Sequence, residues 1–208
     1  QTDPIWNVAN TTTTNYETWI TSEVYEAGKW VSGEEYTLIV RSIDNAGNYS
    51  TVYSTITFKY DKDAPQTSVT NPLNNARYSD NTLTNISGSA IDQPDTTRQA
   101  GLNMTCIGVQ RQSDGKWWNG TSLGWQENRD DVCQPGLTSW SHQFMGGFWS
   151  EIGDREEFYI YAWSQDNVNK PDESYRNIES STTLKRIFKY EVLSPSSTIR
   201  WPLDNEWY

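Results

Sequence analysis

Hydrophobic and polar residues alternate along several short stretches of the chain. The alternation is clearest in 36–43, where Tyr36, Leu38 and Val40 point one way and Thr37 the other. A period of two is that of a β-strand, since successive side chains point to opposite faces of a sheet. A turn built on 44–48 follows, and 54–60 is the next predicted strand.

The same pattern continues through the rest of the chain without a helical segment longer than a turn or two. Aromatic residues make up 13% of the chain, with 11 Trp and 12 Tyr, and such residues favour strands. Short strands separated by Gly, Pro, Asn and Asp clusters predict an all-β fold, an antiparallel β-sandwich of about seven strands. The strands are predicted near 66–70, 83–91, 103–112, 115–119, 138–145, 157–164 and 184–191.

An internal repeat divides the chain. The segment 64–75 reads APQTSVTNPLNN, and 194–205 reads SPSSTIRWPLDN. Upstream, 35–45 aligns with 157–167. A repeat of this length is typical of tandem domains.

On this register, 1–63 is the C-terminal part of one immunoglobulin-like repeat, 64–193 is a complete repeat with a Trp-rich hairpin, and 194–208 is the first strand of a following repeat. The incomplete ends have two explanations. We expect truncation, and head-to-tail completion by neighbouring copies through strand addition stays open.

Two motifs carry a resemblance to a known family. The segment 36–48 reads YTLIVRSIDNAGN and is followed, after a strand, by DKDAP at 61–65. This combination resembles bacterial immunoglobulin-like and fibronectin-III-like repeats. The segment 114–120, DGKWWNG, followed by Trp125, resembles a hairpin that decorates one subgroup of them. The resemblance implies a spacer, adhesive or matrix role in a large extracellular or cell-surface protein.

Charge excludes several classes of partner. The net charge is −11, so the surface repels phosphate backbones and anionic lipid, and no nucleic-acid partner is expected. No apolar run is long enough to span a bilayer, so no membrane insertion is expected within this sequence. The expected partners are neighbouring repeats or copies of the chain, with glycans as a further candidate.

Cys106 and Cys133 are the two cysteines of the chain. Neither lies in a CxxC motif or beside a histidine, which disfavours a metal pair or a redox thiol. A disulfide between them is the favoured interpretation, and closing a loop of this size stabilises by about 3 kcal/mol. Such a bond indicates an oxidising, extracytoplasmic setting.

Aromatic residues suggest a ligand platform. If Phe158, Ile160 and Ala162 face the core, the residues between them face outward. Outward aromatic rings can stack on sugars or on partner surfaces. The candidate platform comprises Trp117, Trp118, Trp125, Tyr159, Tyr161 and Trp163. The favoured alternative is a row of aromatic side chains that merely covers the sheet, or a long hairpin folded back over it.

Oxygen-rich stretches suggest calcium as the one candidate cofactor. Asp61 and Asp63 lie in the predicted joint between domains, and calcium takes six to eight oxygen ligands. Asp44 lies in a second such stretch, and Asp92 and Asp95 lie in a third. Asp is also an ordinary turn residue, so the alternative is a purely structural role.

Glycosylation sequons number close to the chance expectation, so glycosylation is left open. They lie at Asn10, Asn48, Asn85, Asn103 and Asn119.

Catalytic groups are sparse. His142 is the one histidine of the chain, and its neighbours Ser139 and Ser141 share its predicted strand. The acidic residues at 130–131 and 156–157 are adjacent in sequence, so on a strand they would face opposite sides, and in a loop they are expected to be solvated. We therefore expect no enzyme. The expected function is a structural or adhesive segment of an extracellular repeat protein, with a carbohydrate-binding module as the alternative.

Overall fold

The computed structural model describes residues 6, 10–11, 19–20, 29–79, 82–94, 97–120, 124–144, 148–149, 152–168 and 176–198. The chain divides into two compact units, one of Gln1–Asp63 with Gln93–Gln99 and one of Ala64–Asp92 with Ala100–Tyr208. All regular structure in the described residues is β-strand, which confirms the predicted all-β class. Asp95 and residues 199–208 lie outside the described residues.

The described residues of the first unit form two antiparallel strand pairs. Strands β1 (Asn10–Thr11) and β2 (Trp19–Ile20) form one, and β3 (Glu34–Val40) and β4 (Ser54–Tyr60) form the other. Tyr36 lies opposite Phe58 on one face of the second pair, and the Trp30 ring packs 4.4 Å from the Tyr36 ring. These side chains are only half-buried.

The described residues of the second unit form two sheets. The smaller has the order β12 (Ser139–Gln143), β7 (Asn85–Ile91), β5 (Gln66–Asn71). The order of the larger is β10 (Trp125–Gln126), β9 (Trp117–Trp118), β8 (Leu102–Arg111), β13 (Glu157–Asp166), β14 (Leu184–Tyr190), β6 (Ala76–Tyr78). Strand β11 (Val132–Pro135) also pairs with β8. Strands β6 and β14 are parallel, and the other pairs are antiparallel.

A hydrophobic core lies between these two sheets and gives the unit a sandwich-like arrangement. Fully burying one such side chain stabilises by about 1.5–3 kcal/mol. Gly88 makes room for Trp140, because a Cβ at position 88 would lie 2.5 Å from the indole ring. The inward side chains that are at most 3% exposed include Val69, Ile86, Ala90 and Trp140 from the smaller sheet and Ile107, Val109, Phe158, Ile160, Ala162 and Phe188 from the larger.

Most predicted strands are present, with shifted ends. The strand predicted at 115–119 is only Trp117–Trp118. Strands β6, β10 and β11 were not predicted, because two to four residues are too few to show an alternation. Residues 191–198, which include the start of the predicted third segment, carry no strand.

Candidate ligand-binding face

The outer face of the larger sheet carries the predicted aromatic row. Tyr161 pairs with Gly108 and Trp163 with Cys106 across β13 and β8, while Trp117 lies opposite Gln110. The inward residues of β13, Phe158, Ile160 and Ala162, are 0% exposed, so the alternation along this strand is as predicted.

A segment folds over this row. We call residues 127–135 the strap. The Arg129 guanidinium lies 4.7 Å from the ring centroid of Trp117 and 5.0 Å from that of Tyr161, within cation–π range. It donates to both carboxylate oxygens of Asp131, at 2.7 and 2.8 Å, and to the carbonyl of Ser181 at 2.7 Å. The guanidinium therefore covers part of the aromatic row.

Asp131 fixes the strap to the sheet. Its Oδ2 accepts a hydrogen bond of 2.7 Å from the Trp163 indole. Gly108 lies directly beneath, and a Cβ there would lie 2.4 Å from Asp131 Oδ1. The strap can approach the sheet this closely because position 108 has no side chain. The expectation that the acidic pair at 130–131 is simply solvated is wrong for Asp131, whose side chain is 12% exposed.

The disulfide anchors the same strap. Cys106 and Cys133 are directly opposite each other on β8 and β11 and are bonded, with their Cα atoms 4.0 Å apart. The predicted disulfide is confirmed. Cys106 is fully buried, whereas Cys133 is exposed.

Two of the predicted platform residues face the core instead. Trp118 is 1% exposed and packs edge-on against Phe148 and His142, with centroids 5.3 Å from each. Trp125 lies opposite Trp118 and donates its indole N–H to the Phe148 carbonyl at 3.2 Å. Consecutive residues of a strand point to opposite faces, so Trp117 and Trp118 cannot share one platform. Tyr159, Tyr161, Trp163 and Trp117 remain on the outer face, each half-buried.

The three candidate calcium ligands do not converge on one site. Asp44 follows β3, and Asp61 and Asp63 follow β4. The register of this antiparallel pair places the end of β3 and the end of β4 at opposite ends, about 20 Å apart. Asp61 is 8% exposed and accepts hydrogen bonds from the Asp63 N–H at 3.1 Å and the Ser32 hydroxyl at 3.4 Å.

Asp44 organises its own turn. Its Oδ1 accepts the N–H groups of Ala46 and Asn48, and its Oδ2 accepts the Asn48 side chain at 2.9 Å. The hydrogen bond from the Asn48 side chain, followed by the bond from its backbone, lowers the pKa of Asp44 below its ordinary value. This exposed aspartate has the role of a turn residue.

Two buried carboxylates lie close together in the second unit. Asp92 is 2% exposed, Asp166 is 0% exposed, and their carboxylate oxygens approach within 4.8 Å. Asp92 accepts the Gly101 N–H at 2.6 Å, while Asp166 accepts the N–H groups of Val168 and Asn177. Oxygens of this kind are ligands for calcium, but here they also hold loop backbone in place. Asp166 was missed because it reads as an ordinary turn residue in sequence.

His142 faces the aromatic core. Strand alternation places it on the inner face of β12, whereas Ser139 and Ser141 point outward. The strand therefore forms no Ser–His pair. Burial lowers the pKa of His142, and its Nε2 has no hydrogen-bond partner among the described residues.

The sequons differ in accessibility. Asn48 is exposed at the first turn, whereas Asn85, Asn103 and Asn119 are partly buried. Asn85 donates to the Ser141 hydroxyl at 2.8 Å. The backbone of Asn10 lies in β1. Glycosylation at these positions stays a prediction.

Two comparisons with known proteins, against family models and against curated proteins, found no match. In the part of the chain that the structure describes, no helix has the length and apolar character needed to cross a membrane. The resemblance to immunoglobulin-like and fibronectin-III-like repeats therefore stays a prediction.

Proposed function

We propose that this chain is a non-catalytic structural and adhesive segment of an extracellular repeat protein, built from immunoglobulin-like sandwiches in series. Its role is that of a spacer, surface fibre or matrix component. Rigid units in series transmit force along the protein and fix the distance between its two ends. Each unit contacts only its neighbours in the series.

The observation that carries the proposal is a turn built twice with the same hydrogen bonds. Asp44 accepts the N–H of the second residue after it, Ala46, and Asp166 likewise accepts that of Val168. Asn48 donates its backbone and side-chain N–H groups to Asp44, and Asn177 does the same to Asp166.

The backbone around these turns also matches. Ile43 bridges Tyr49 in the first unit, and Gln165 bridges Ile178 in the second. The second turn is the longer, with 11 positions from Asp166 to Asn177 against 4 from Asp44 to Asn48. The two turns therefore share the same hydrogen bonds and bridge although their loops differ in length. This supports repetition of one structural unit.

Strand order supports the immunoglobulin-like assignment. If β5, β7, β8, β12, β13 and β14 are labelled A, B, C, E, F and G, one sheet contains A, B and E and the other contains C, F and G. An immunoglobulin sandwich divides these strands in the same way.

The strap favours this role over the alternative of a carbohydrate-binding module that uses the outward aromatics. Arg129 covers Trp117 and Tyr161, and Asp131 occupies the hydrogen-bonding edge of Trp163. The Cys106–Cys133 bond supports an extracellular location, because disulfides persist in oxidising compartments.

Single-molecule force spectroscopy on the full chain, pulled from its two ends, tests the proposal. We expect a discrete unfolding event for the second unit under oxidising conditions. Reduction, or a Cys106→Ala/Cys133→Ala variant, should lengthen that event by about 90 Å, because the 27-residue loop is released. Exposed Ser180→Ala serves as the matched control. Gradual extension of the second unit, without a discrete unfolding event, would contradict a mechanical role.

A further inference from the structure

The segment 194–208 repeats in sequence a segment that is docked in the second unit. Residues 64–78 read APQTSVTNPLNNARY, and 194–208 read SPSSTIRWPLDNEWY. We call the first the docked segment and the second the C-terminal segment. Identical residues recur at the same places: Pro65 and Pro195, Pro72 and Pro202, Leu73 and Leu203, Asn75 and Asn205, Tyr78 and Tyr208. The contacts of the docked segment therefore indicate which kind of surface the C-terminal segment binds.

The docked segment lies along one edge of β14. Its last part, β6, pairs in parallel with β14. Just before β6, the Asn75 N–H donates to the Ile187 carbonyl at 2.7 Å, and the side-chain oxygen of Asn74 accepts the Ile187 N–H at 3.0 Å. The Tyr78 ring packs edge-on against Phe188, with centroids 6.1 Å apart. The docked segment thus adds a strand to the larger sheet.

The earlier part of the docked segment, β5, covers the inner face of the same sheet. Its inward residues Thr67 and Val69 are 3% and 1% exposed. The Thr67 hydroxyl lies 2.7 Å from the Ser164 hydroxyl of β13. Strand β5 contacts both β13 and β14. The docked segment therefore closes the core and also extends the sheet.

The pair β3–β4 offers the same surface as β13–β14, in the same register. The residues FKY close both β4 and β14. Thr57 lies opposite Thr37, as Ile187 lies opposite Tyr159. The N–H and carbonyl of Thr57 therefore point to the edge of β4 that corresponds to the edge of β14 where the docked segment lies. Among the described residues, β4 pairs with β3 alone.

Burial differs between these equivalent surfaces. Pro195 and Ser197 are exposed, whereas their equivalents Pro65 and Thr67 are buried. Three inward side chains of β3 are half-buried, whereas their equivalents on β13 are fully buried: Tyr36 and Phe158, Leu38 and Ile160, Val40 and Ala162. In the described part of the chain, the inner face of β3–β4 and residues 194–198 both lack the cover that their equivalents give each other.

We propose that the C-terminal segment of one copy of this chain docks on the β3–β4 pair of a second copy. Residues 206–208 add a strand parallel to β4, as β6 does to β14, and the residues before them cover the inner face. A segment that completes a sheet in this way gains main-chain hydrogen bonds along the edge and apolar contacts from alternate side chains. The segment and the strand pair are different surfaces, so the association is head-to-tail and continues from copy to copy.

The C-terminal segment keeps the chemical groups that make the contacts of the docked segment. The Asp204 carboxylate accepts the Thr57 N–H of the second copy. Tyr208 packs against Phe58, and Ile199 enters the core between the segment and β3–β4. Each takes the place of an equivalent described above, namely Asn74, Tyr78 and Val69.

This inference rests on the proposed function, because it treats the two segments as one element of two repeats. It adds the partner, which is a second copy of the chain. The force measurement above follows the second unit and its disulfide, whereas the association depends on β4 and the C-terminal segment. Either experiment can therefore fail while the other succeeds.

Sedimentation velocity of the full chain over a wide range of concentration tests the proposal. We expect dimers and longer species that dissociate on dilution. A synthetic peptide of residues 194–208 should occupy β4 and reduce the mass to that of the monomer, whereas a scrambled peptide of the same composition should not. Hydrogen–deuterium exchange should show slower exchange of the amides in 54–60 when the peptide is bound.

Two variants of the C-terminal segment provide a matched comparison. The donor variant, Ile199→Ser/Tyr208→Ser, should raise the dissociation constant of the association about a hundredfold, because two apolar side chains lose their burial. Ser196→Ala changes a position whose equivalent Gln66 is exposed, and this variant should associate as the wild type does. Thermal unfolding checks that both variants are as stable as the wild type.

A mixing experiment tests the head-to-tail arrangement. Thr57→Pro removes the N–H that Asp204 accepts and leaves the C-terminal segment intact. Alone, this acceptor variant should stay monomeric. Mixed with the donor variant, it should form dimers and nothing longer, because each variant supplies one intact surface. The result does not require a folded first unit in the acceptor variant, since only its C-terminal segment takes part.

Several results would overturn the proposal. One is a wild-type chain that stays monomeric at every concentration and binds no peptide. Another is association that neither the peptide nor the donor variant reduces. A mixture of the two variants that forms no dimers would exclude head-to-tail contact. A monomeric wild type in which the donor variant speeds exchange of 54–60 would assign the segment to β4 of its own chain.

Discussion

The strand pairs β3–β4 and β13–β14 are two versions of one sequence pattern in different surroundings. Tyr36 lies opposite Phe58 in the first, and Phe158 lies opposite Phe188 in the second. The rings stack in both pairs, with centroids 5.9 Å apart in the first and 4.8 Å apart in the second. Local pairing is therefore the same.

Burial separates the two pairs. Phe158 and Phe188 are 0% exposed, whereas Tyr36 and Phe58 are half-buried and nearby Ile56 is 60% exposed. In the second unit the sheet of β5, β7 and β12 covers the inner face. The comparison teaches that strand alternation decides which side chains share a face, and that a second sheet decides how much free energy those side chains contribute.

Truncating the equivalent phenylalanines should have the largest effect. Phe188→Ala should cost about 3–5 kcal/mol, because it leaves a cavity in a closed core. Phe58→Ala should cost less than half as much, because Phe58 is already partly in contact with water. Hydrogen–deuterium exchange of the amides in 184–190 and 54–60 measures the opening free energy of each pair.

The conservative variants Phe188→Leu and Phe58→Leu control for loss of the ring alone. Each alanine variant should act mainly on its own strand pair. Equal losses at the two positions would mean that the inner face of β3–β4 is as fully covered as that of β13–β14.

Removing the turn aspartates, Asp166 and Asp44, should again destabilise the second unit more than the first. The difference between the two units should be smaller than for the phenylalanines. Asp166→Ala removes the acceptor of the half-buried Asn177 backbone and side-chain N–H groups, and the loss of such a partner costs about 1–3 kcal/mol. Asp44→Ala should perturb its turn only slightly, because water can reach the exposed Asn48 groups. Exchange rates of the Asn177 and Asn48 amides check this. A larger loss at Asn48 would contradict the burial argument.

The sequence predicted the features that depend on local alternation. The inward positions Phe158, Ile160 and Ala162, and the β-strands around them, follow from a period of two. The disulfide also followed, because the chain has only two cysteines. Both predictions use information within one strand or one residue type.

Features that depend on segments meeting across the fold were not predicted. Arg129 and Asp131 lie in a loop without pattern, and only the folded sheet shows that Gly108 leaves space for them. Trp118 was assigned to the wrong face because six aromatics were grouped by type rather than by position along the strand. The row of Ser68, Ser89 and Ser139 depends on the register of three strands, which no single segment contains.

Protonation of His142 should lower the stability of the second unit and leave that of the first unchanged. This is the smallest of the predicted effects. Burial beside Trp118 disfavours the charged imidazolium and lowers the pKa of His142 below its ordinary value. The unfolded chain then binds a proton at a higher pH than the folded chain does. The second unit therefore has its full stability above the ordinary histidine pKa of about 6.5. Its free energy of unfolding decreases as the pH drops below that value.

The slope can reach at most about 1.4 kcal/mol per pH unit, and partial exposure of the ring reduces it. His142→Phe should remove this component, and since the chain has one histidine, the difference between wild type and variant isolates it. Opening free energies of the amides in 184–190 and 54–60, measured at intervals from pH 7.5 to 5.5, provide the comparison. The first set should show the difference and the second should not. Identical profiles for wild type and variant at 184–190 would show that the imidazole accepts its proton as readily in the folded chain as in water.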